Sequence, residues 1–456
     1  VAELEQLRAA HMARALEMAP EFCSRLRWTP QQLAGHQRRA LRELLAVAVD
    51  RSPWHRKRLK GIDLGAVDPS DLTALPVMTK AELMADWDDI VTEGRLRLAD
   101  VDAHLEHGDG GYLFDEYTAM ATGGSTGQRG VIVYDRDGLA TLWLSGARRL
   151  PIERHTTPAP CAGPLSIGYV MAAHPSHLSG AFARTFHDPR VVSVNCPVTW
   201  SVDRIVATLN DAQPVALAGY PSALALLARE AAVGRLHIRP ATVVSVGEPL
   251  LPEVRTAAEA TWGRPVINAW GSTESGILGS SCPSGAVHLS PDIGIVEVVD
   301  AEGRPVPDGV TGAKIYVTNL FNHVLPTIRY EISDEVTVLP ERCPCGEASR
   351  IVGDVQGRRD DIFVYDGRAV HPHVFRSAFT RRAAIPEYQV RQTAQGADVD
   401  VCCGGELDSA ALAAELTESL RQIGLPEPRV TIRRVDRISR ASESGKLKRF
   451  VPLVAS

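Results

Sequence analysis

Residues 119–130, AMATGGSTGQRG, run directly into residues 131–134, VIVY. The second stretch is β-branched and apolar, the pattern of a buried strand. The first puts three glycines and three hydroxyls into Thr122-Gly123-Gly124-Ser125-Thr126-Gly127. Glycines let successive backbone N–H groups turn toward one anion, and hydroxyls add donors for phosphate oxygens. Neither GxxxxGK[ST] nor GxGxxG occurs here, so this is not a Walker loop or a dinucleotide fingerprint. Taken alone, a Gly/Ser/Thr loop before a strand is also a plain turn.

Outward from this loop, strand-like and helix-like runs alternate between about 140 and 275. Val191 to Val194, Val215 to Ala218 and Thr242 to Val246 read as strands; Val202 to Leu209 and SALALLAREAA (222–232) read as helices. Such alternation argues for an α/β region with a largely parallel sheet. Between 286 and 340 the pattern turns to short β segments: GIVEVVDAEGRPVPDG, AKIYVTNL and DEVTVLP. Asp300-Ala301-Glu302-Gly303 and Pro307-Asp308-Gly309 supply reverse turns there. Upstream, the first sixty residues read as helices, with Leu33, Leu41, Leu44, Leu45 and Val49 on one face and Ser52-Pro53 as an interruption. After about 357 comes a smaller α+β unit, with strands in DIFVYDG and RVTIRRV around the helix ALAAELTESLRQIG. The expected fold class is α/β, with a large amino-terminal domain over 1–357 and a small carboxy-terminal one over 358–456.

Composition agrees with that division. A chain of 456 residues exceeds one ordinary core, so two or more domains are expected. With 45% hydrophobic and 23% charged residues, wholesale disorder is excluded. The net charge of −6, with signs interspersed, gives no electrostatic reason for a nucleic-acid or membrane partner. No apolar run approaches the roughly 18 to 20 residues of a spanning helix. The stretch VAELEQLRAAHMARALEMAP is charged and amphipathic, unlike a signal peptide, and a cytoplasmic location is expected. The eight cysteines are too sparse and irregular for a secreted disulfide scaffold, leaving free thiols or metal ligands.

Five further motifs follow the loop in order. They are Val246-Gly247-Glu248-Pro249, Ala269-Trp270-Gly271-Ser272-Thr273-Glu274, Arg329-Tyr330-Glu331-Ile332-Ser333-Asp334, Gly357-Arg358-Arg359-Asp360-Asp361 and Ser444-Gly445-Lys446. This set resembles the adenylate-forming superfamily of acyl-CoA synthetases and related ligases. The segments SPWHRKRLKGID (52–63), DLTALPVMTKAEL (71–83) and GYPSALALLA (219–228) are similar to its phenylacetate-CoA ligase branch. The resemblance runs from about residue 50 to 450.

It implies that a carboxylic acid and MgATP give an acyl-adenylate and pyrophosphate, after which a nucleophile, CoA in the first reading, displaces AMP. Joining a carboxylate to an α-phosphate brings two anions together, so the site must supply positive charge and oriented donors. By resemblance Lys446 bridges the two, although Lys446, Lys448 and Arg449 also read as a solvated basic tail. Glu274 helps hold Mg2+, a hard cation that favours oxygen ligands. Thr273 donates to the α-phosphate, and the loop residues Thr122 to Gly127 receive phosphate oxygens. Trp270 sits beside the adenine with Gly271 and Ser272, and Gly247, Glu248 and Pro249 form the other side of the slot. Asp334 accepts the ribose hydroxyls. Arg358 also reaches the nucleotide, and Asp360 is the hinge about which a small mobile domain delivers and withdraws Lys446. The loop departs from the usual Ser-Gly-Thr-Thr-Gly-Lys: Gln128 stands where many relatives carry lysine, and Arg129 is a candidate replacement.

Cys282 and His288, with Cys343 and Cys345 some sixty residues on, form two half-sites suited to tetrahedral structural Zn2+. Separate buried thiols and a surface histidine fit the same residues, but members of the branch carry a metal at similar positions. Candidates for the acid pocket are Tyr169, His174, Tyr220, Ala269 and Ile277, whose hydroxyl and imidazole groups suit an aryl or arylacetic acid. Three functions stay open: an acid:CoA ligase; an adenylating enzyme with an amine, hydroxyl or carrier-protein acceptor; and a nucleotide-binding regulator without chemistry. The chain is expected to be a monomer or homodimer.

Overall fold

The computed structural model describes residues 2–107, 111–122, 130–149, 165–172, 177–186, 191–198, 200, 202–353, 355, 363–366, 368–370, 373–380, 385, 387–403, 406–438 and 448–453. The chain opens with helices α1 (Ala2–Arg25), α2 (Pro30–Arg51) and α3 (Pro53–Arg58). Thr29 and Gln32 form a capping box at the start of α2. Ser52 ends α2 in an extended conformation and its side chain accepts from the His55 amide to cap α3. Pro53 lacks an N–H but sits in the first turn, where none is needed. The expected interruption is therefore a cap shared between two helices. Leu41, Leu44 and Leu45 are buried on the predicted face, with Leu33 and Val49 half-buried at its ends.

Next come α4 (Lys80–Ala85), α5 (Trp87–Ile90) and α6 (Leu98–His107), which lead to a hairpin of β1 (Thr118–Thr122) and β2 (Gly130–Tyr134). The two strands are antiparallel and their register ends on the Thr122–Gly130 pair. The glycine-rich stretch therefore joins the strands of a hairpin. Beneath it, the Trp87 indole N–H donates to the Val131 carbonyl at 3.0 Å, fixing α5 under β2.

After α7 (Arg136–Ala147) the predicted alternation appears: β3 (Leu165–Val170), α8 (Leu178–Thr185), β4 (Val191–Asn195), α9 (Val202–Ala212), β5 (Ala216–Gly219), α10 (Pro221–Ala232), β6 (Thr242–Val246), α11 (Pro252–Trp262) and β7 (Val266–Ser272). These strands pair in parallel in the order β4-β3-β5-β6-β7. The sheet continues antiparallel through β8 (Gly276–Ser281) and β9 (Val287–Leu289). A separate antiparallel sheet holds β10 (Gly294–Val299), β11 (Lys314–Asn319) and β12 (Tyr330–Ile332). The short β13 (Ile351–Val352) returns to pair with β9.

DEVTVLP, expected as a β segment, forms no strand of its own. Val336 and Val338 are buried, yet the backbone is divided among several partners: Gly309, Gly312, Ile351 and Gly353 each bond to it singly. Only isolated bridges result, because β12 already occupies the edge of β11.

The carboxy-terminal elements are β14 (Phe363–Tyr365), β15 (Arg368–Val370), α12 (His373–Thr380), β16 (Glu387–Thr393), β17 (Gly396–Cys402), α13 (Ser409–Gln422), β18 (Arg429–Arg434) and β19 (Phe450–Val451). Their sheet runs β18-β17-β16-β19, and Leu412, Leu416 and Leu420 of α13 are fully buried at the i, i+4, i+8 spacing of one helical face. One hydrophobic cluster covers the parallel sheet and α9 to α11, and another is made only of residues from Phe363 to Phe450. Among the described residues no helix is long and apolar enough to cross a membrane.

Candidate active site

Chain order and spatial order part company at β3. From β3 the chain steps outward to β4, then returns to the other side of β3 for β5. In an open parallel sheet such a reversal leaves a crevice beyond the carboxyl ends of the strands, where ligands bind. The sequence candidates gather at those ends. Tyr169 is next to last in β3, Tyr220 follows β5, Gly247-Glu248-Pro249 follow β6, and Trp270-Gly271-Ser272 end β7. Tyr169 thus stands on one, and Tyr220 directly after the other, of the two strands that flank the reversal.

Each group is tied down locally. The Tyr220 hydroxyl accepts from the Ala172 amide at 3.2 Å, linking the ends of β3 and β5. Gly247 has φ +81°, which turns the chain sharply out of β6. The Glu248 carboxylate accepts from the Ser222 amide at 3.0 Å and its hydroxyl at 3.1 Å, at the start of α10. A Cβ on Gly271 would lie 2.0 Å from the Gly276 carbonyl, so only glycine permits the tight β7–β8 connection. Ala269 and Ile277 are buried nearby, and Gly146 of α7 approaches Ile277 closely.

The connection between β7 and β8 carries Thr273 and Glu274. Tyr134 of the hairpin donates to the Thr273 carbonyl at 2.7 Å, and Asn319 donates to the Glu274 carbonyl at 3.0 Å. Burial, and secondarily the Glu274 charge, pushes the Tyr134 phenol well up, so it remains a neutral donor. Glu274 is 7% exposed, and its carboxylate has no hydrogen-bond or ion-pair partner among the described residues. A buried carboxylate so placed suits a bound cation.

Trp270 donates its indole N–H to Asp334 Oδ2 at 2.7 Å, and both residues are buried. This bond joins the large sheet to the segment after β12. The sequence reading gave the indole only an aromatic face; the structure adds an N–H directed at the expected ribose carboxylate.

Residues 93–319 match the AMP-binding enzyme family. That segment carries an AMP-binding enzyme domain. No curated protein matches the sequence. The fold is similar to that of 2-hydroxyisobutyryl-CoA ligase in the postadenylation state with R3-HIB-AMP, at TM-score 0.69 and 17% identity over 94% of this chain and 92% of that one. Against the same ligase with 2-HIB-AMP and CoA in the thioesterification state the TM-score is 0.57, at 17% identity over 94% and 91%. An amide bond synthetase from Marinactinospora thermotolerans overlays at TM-score 0.50 and 17% identity, over 72% of this chain and 67% of that one.

Several residues of this candidate site were invisible to sequence reading. Asn319 also accepts from the Phe321 and Asn322 amides, while Asn322 donates to the Val133 carbonyl at 3.1 Å, so the pair clamps β2 to the Glu274 turn. Thr122 Oγ1 accepts from the Lys80 ammonium at 2.9 Å and from the Gly130 amide at 3.0 Å. Gly123, Gly124, Ser125, Thr126, Gly127, His174, Arg358, Asp360 and Lys446 lie outside the described residues.

The second constellation comes together at the far edge of the large sheet. Cys282 follows β8, His288 lies in β9, and the Ile351–His288 pairing of β13 with β9 brings the 343–350 segment across them. The Cys282 and Cys343 sulfurs are 3.6 Å apart, and Cys345 Sγ is 3.3 Å from His288 Nε2. All four ligand atoms lie within 4.8 Å of one another. His288 Nδ1 sits 3.2 Å from the Ser349 carbonyl oxygen; donating to it leaves Nε2 to face the sulfurs. Cys402, by contrast, ends β17 as a buried packing residue with no place in this group.

Proposed function

We propose that this enzyme activates a carboxylic acid with MgATP as an acyl-adenylate, releasing pyrophosphate, and passes the acyl group to CoA. The observation that carries this reading is the convergence of Thr273, Glu274 and the Trp270–Asp334 pair beside the β1–β2 hairpin, at the carboxyl ends of the parallel strands. In the first step an acid carboxylate oxygen bonds to the α-phosphorus and the bond to the β-phosphate bridging oxygen breaks. Asp334 receives the ribose hydroxyls, and Thr273 donates to the α-phosphate. Lys446 and the loop residues Gly123 to Gly127 offset the charge of the two anions. Mg2+, held by Glu274, supplies further charge neutralisation when bound. Arg358 reaches the nucleotide, and Asp360 is the hinge between units 1–357 and 358–456.

The region at the carboxyl ends of the strands, with Tyr169 and Tyr220 at the β3–β5 reversal, Ala269 of β7, Ile277 of β8, and His174 from the segment after β3, takes the acid. An aryl or arylacetic acid, as in the phenylacetate-CoA ligase branch, suits its aromatic and apolar lining. Acid-dependent pyrophosphate release across a panel of aryl, arylacetic and aliphatic acids, followed by product masses with and without CoA, tests this. A CoA thioester of an aryl or arylacetic acid is expected. Accumulated acyl-AMP that CoA leaves unchanged would move the acceptor to an amine, hydroxyl or carrier-protein thiol.

Trp270→Phe is expected to weaken ATP binding about tenfold. It leaves a buried carboxylate short of one donor, and a hydrogen bond to a charged group contributes about 1.5 kcal/mol. Calorimetric titration with ATP checks this; an affinity within twofold of wild type would remove the indole from ribose binding.

We also propose a structural Zn2+ on Cys282, His288, Cys343 and Cys345. Zn–S bonds of about 2.3 Å and a Zn–N bond of about 2.0 Å imply tetrahedral edges of roughly 3.8 Å between sulfurs and 3.5 Å from sulfur to nitrogen. The separations of 3.6 and 3.3 Å come close to both. Ser349 supplies the outer hydrogen bond that orients a ligating histidine. Four protein ligands leave no open position, so the ion serves the fold.

A further inference from the structure

The hairpin loop has a charge problem. Gln128 replaces the lysine of many relatives, and Arg129 is the one cationic residue between Thr122 and Gly130. A triphosphate and an incoming carboxylate together carry several negative charges, and water-excluded sites penalise them unless cations are at hand.

Lys80 stands at the mouth of that loop. Its ammonium donates to Thr122 Oγ1 at 2.9 Å, on the last residue of β1. Across the final rung of the hairpin, a Cβ on Gly130 would lie 2.9 Å from Lys80 Cε, so the stem passes where the loop rejoins β2. The lysine thus touches both ends of the glycine-rich segment although it lies 42 residues before Thr122 in sequence.

Its backbone is fixed to the same site from two sides. Met78 bonds to the strand that leads to Asp334, receiving from the Glu331 amide at 2.8 Å and donating to the Arg329 carbonyl at 3.1 Å. Thr79 and Glu82 form a capping box, and Arg58 holds Glu82 at 2.6 Å. On the other side, Met84 and Trp87 bond to the amide and carbonyl of Val131 in β2. Lys80 therefore lies in a segment that hydrogen bonds tie to Arg329 and Glu331 on one side and to the hairpin on the other.

We propose that Lys80 is a phosphate-binding residue for the β- and γ-phosphates of ATP, supplying the positive charge that Gln128 does not. The role rests on the adenylation reading for its chemistry. As the carboxylate oxygen bonds to the α-phosphorus, the electron pair of the breaking bond leaves on pyrophosphate, and no proton moves. The Lys80 ammonium offsets that growing charge at the base of the loop. AMP lacks the groups it meets, which separates this role from a purely structural one.

The test compares ATP and AMP affinities, in Mg2+, of wild type, Lys80→Met and Lys80→Arg by calorimetry, alongside acid-dependent pyrophosphate release. Lys80→Met should weaken ATP at least tenfold, leave AMP within twofold, and lower pyrophosphate release; Lys80→Arg should restore most of the ATP affinity. Lys80→Gln, which keeps a polar end for Thr122, serves if the methionine variant does not fold. ATP affinity within twofold of wild type, or an equal loss for ATP and AMP, overturns the proposal. A wild-type enzyme that releases no pyrophosphate with any acid would instead overturn the adenylation reading, and the ATP-against-AMP comparison would still decide Lys80.

Discussion

Replacing Lys446 with alanine should lower acid-dependent pyrophosphate release by about a thousandfold and leave ATP affinity within about twofold. The size follows from the electrostatics of the step: removing one preorganised partner of developing or opposed charge in a shielded site typically costs about a hundredfold to a thousandfold in rate. The selectivity follows from geometry. On the proposed reading ATP is held by groups of the large unit, namely Asp334, the Glu274 turn and the hairpin, whereas Lys446 belongs to the Ser444-Gly445-Lys446 motif. A lysine delivered only for acyl transfer to phosphate acts on the transition state and not on nucleotide binding. Supplied with ready-made acyl-adenylate, the same variant should still form thioester with CoA. Calorimetry with ATP and a pyrophosphate assay on one preparation check both halves. Unchanged release would return Lys446 to a solvated basic tail.

Cys343→Ser should remove stoichiometric zinc and lower the melting temperature by several degrees. Loss of one of four ligands opens the coordination shell and leaves the remaining thiolates without their cation. The consequence reaches beyond the four residues. Glu347, two residues after Cys345, takes a bidentate pair from Arg149 at 2.9 and 2.5 Å, just past α7. Through that pair the 343–351 segment braces the helix that covers Ile277. Elemental analysis and thermal melting, each before and after chelation, check the expectation. A wild-type protein without bound zinc, or a variant with unchanged zinc content and melting, would contradict it.

Much of the architecture was legible because its signals are local. The alternation from Val191 to Val246 became β4 to β6 with helices between, since apolar period and turn residues are both short-range. The Ser52-Pro53 break was legible for the same reason, as a cap needs only its own turn. DEVTVLP was not, because its apolar residues satisfy burial while its backbone partners are scattered over Gly309 to Gly353. The site divides in the same way. Resemblance to the ligase motifs singled out Glu274 and Asp334 as candidates, and residue types suited to a metal singled out the cysteine cluster. The bond from Trp270 to Asp334 spans 64 residues and that from Lys80 to Thr122 spans 42, and neither has a sequence period to announce it. A lysine at helix position 80 reads locally as an ordinary solvated charge. Only the pairing of Met78 beside Tyr330, and the register of the hairpin, bring it to the loop.

The central claim is formation of an acyl-adenylate from a carboxylic acid. Exchange of labelled pyrophosphate into ATP measures that step alone, before any acceptor is involved. Aryl and arylacetic acids should each be tried with Mg2+ and without CoA. The account predicts exchange that depends on one such acid and on Mg2+, and that Lys446→Ala lowers about a thousandfold. Purified, folded enzyme that binds ATP yet supports no acid-dependent exchange would contradict it and leave a nucleotide-binding protein without the chemistry.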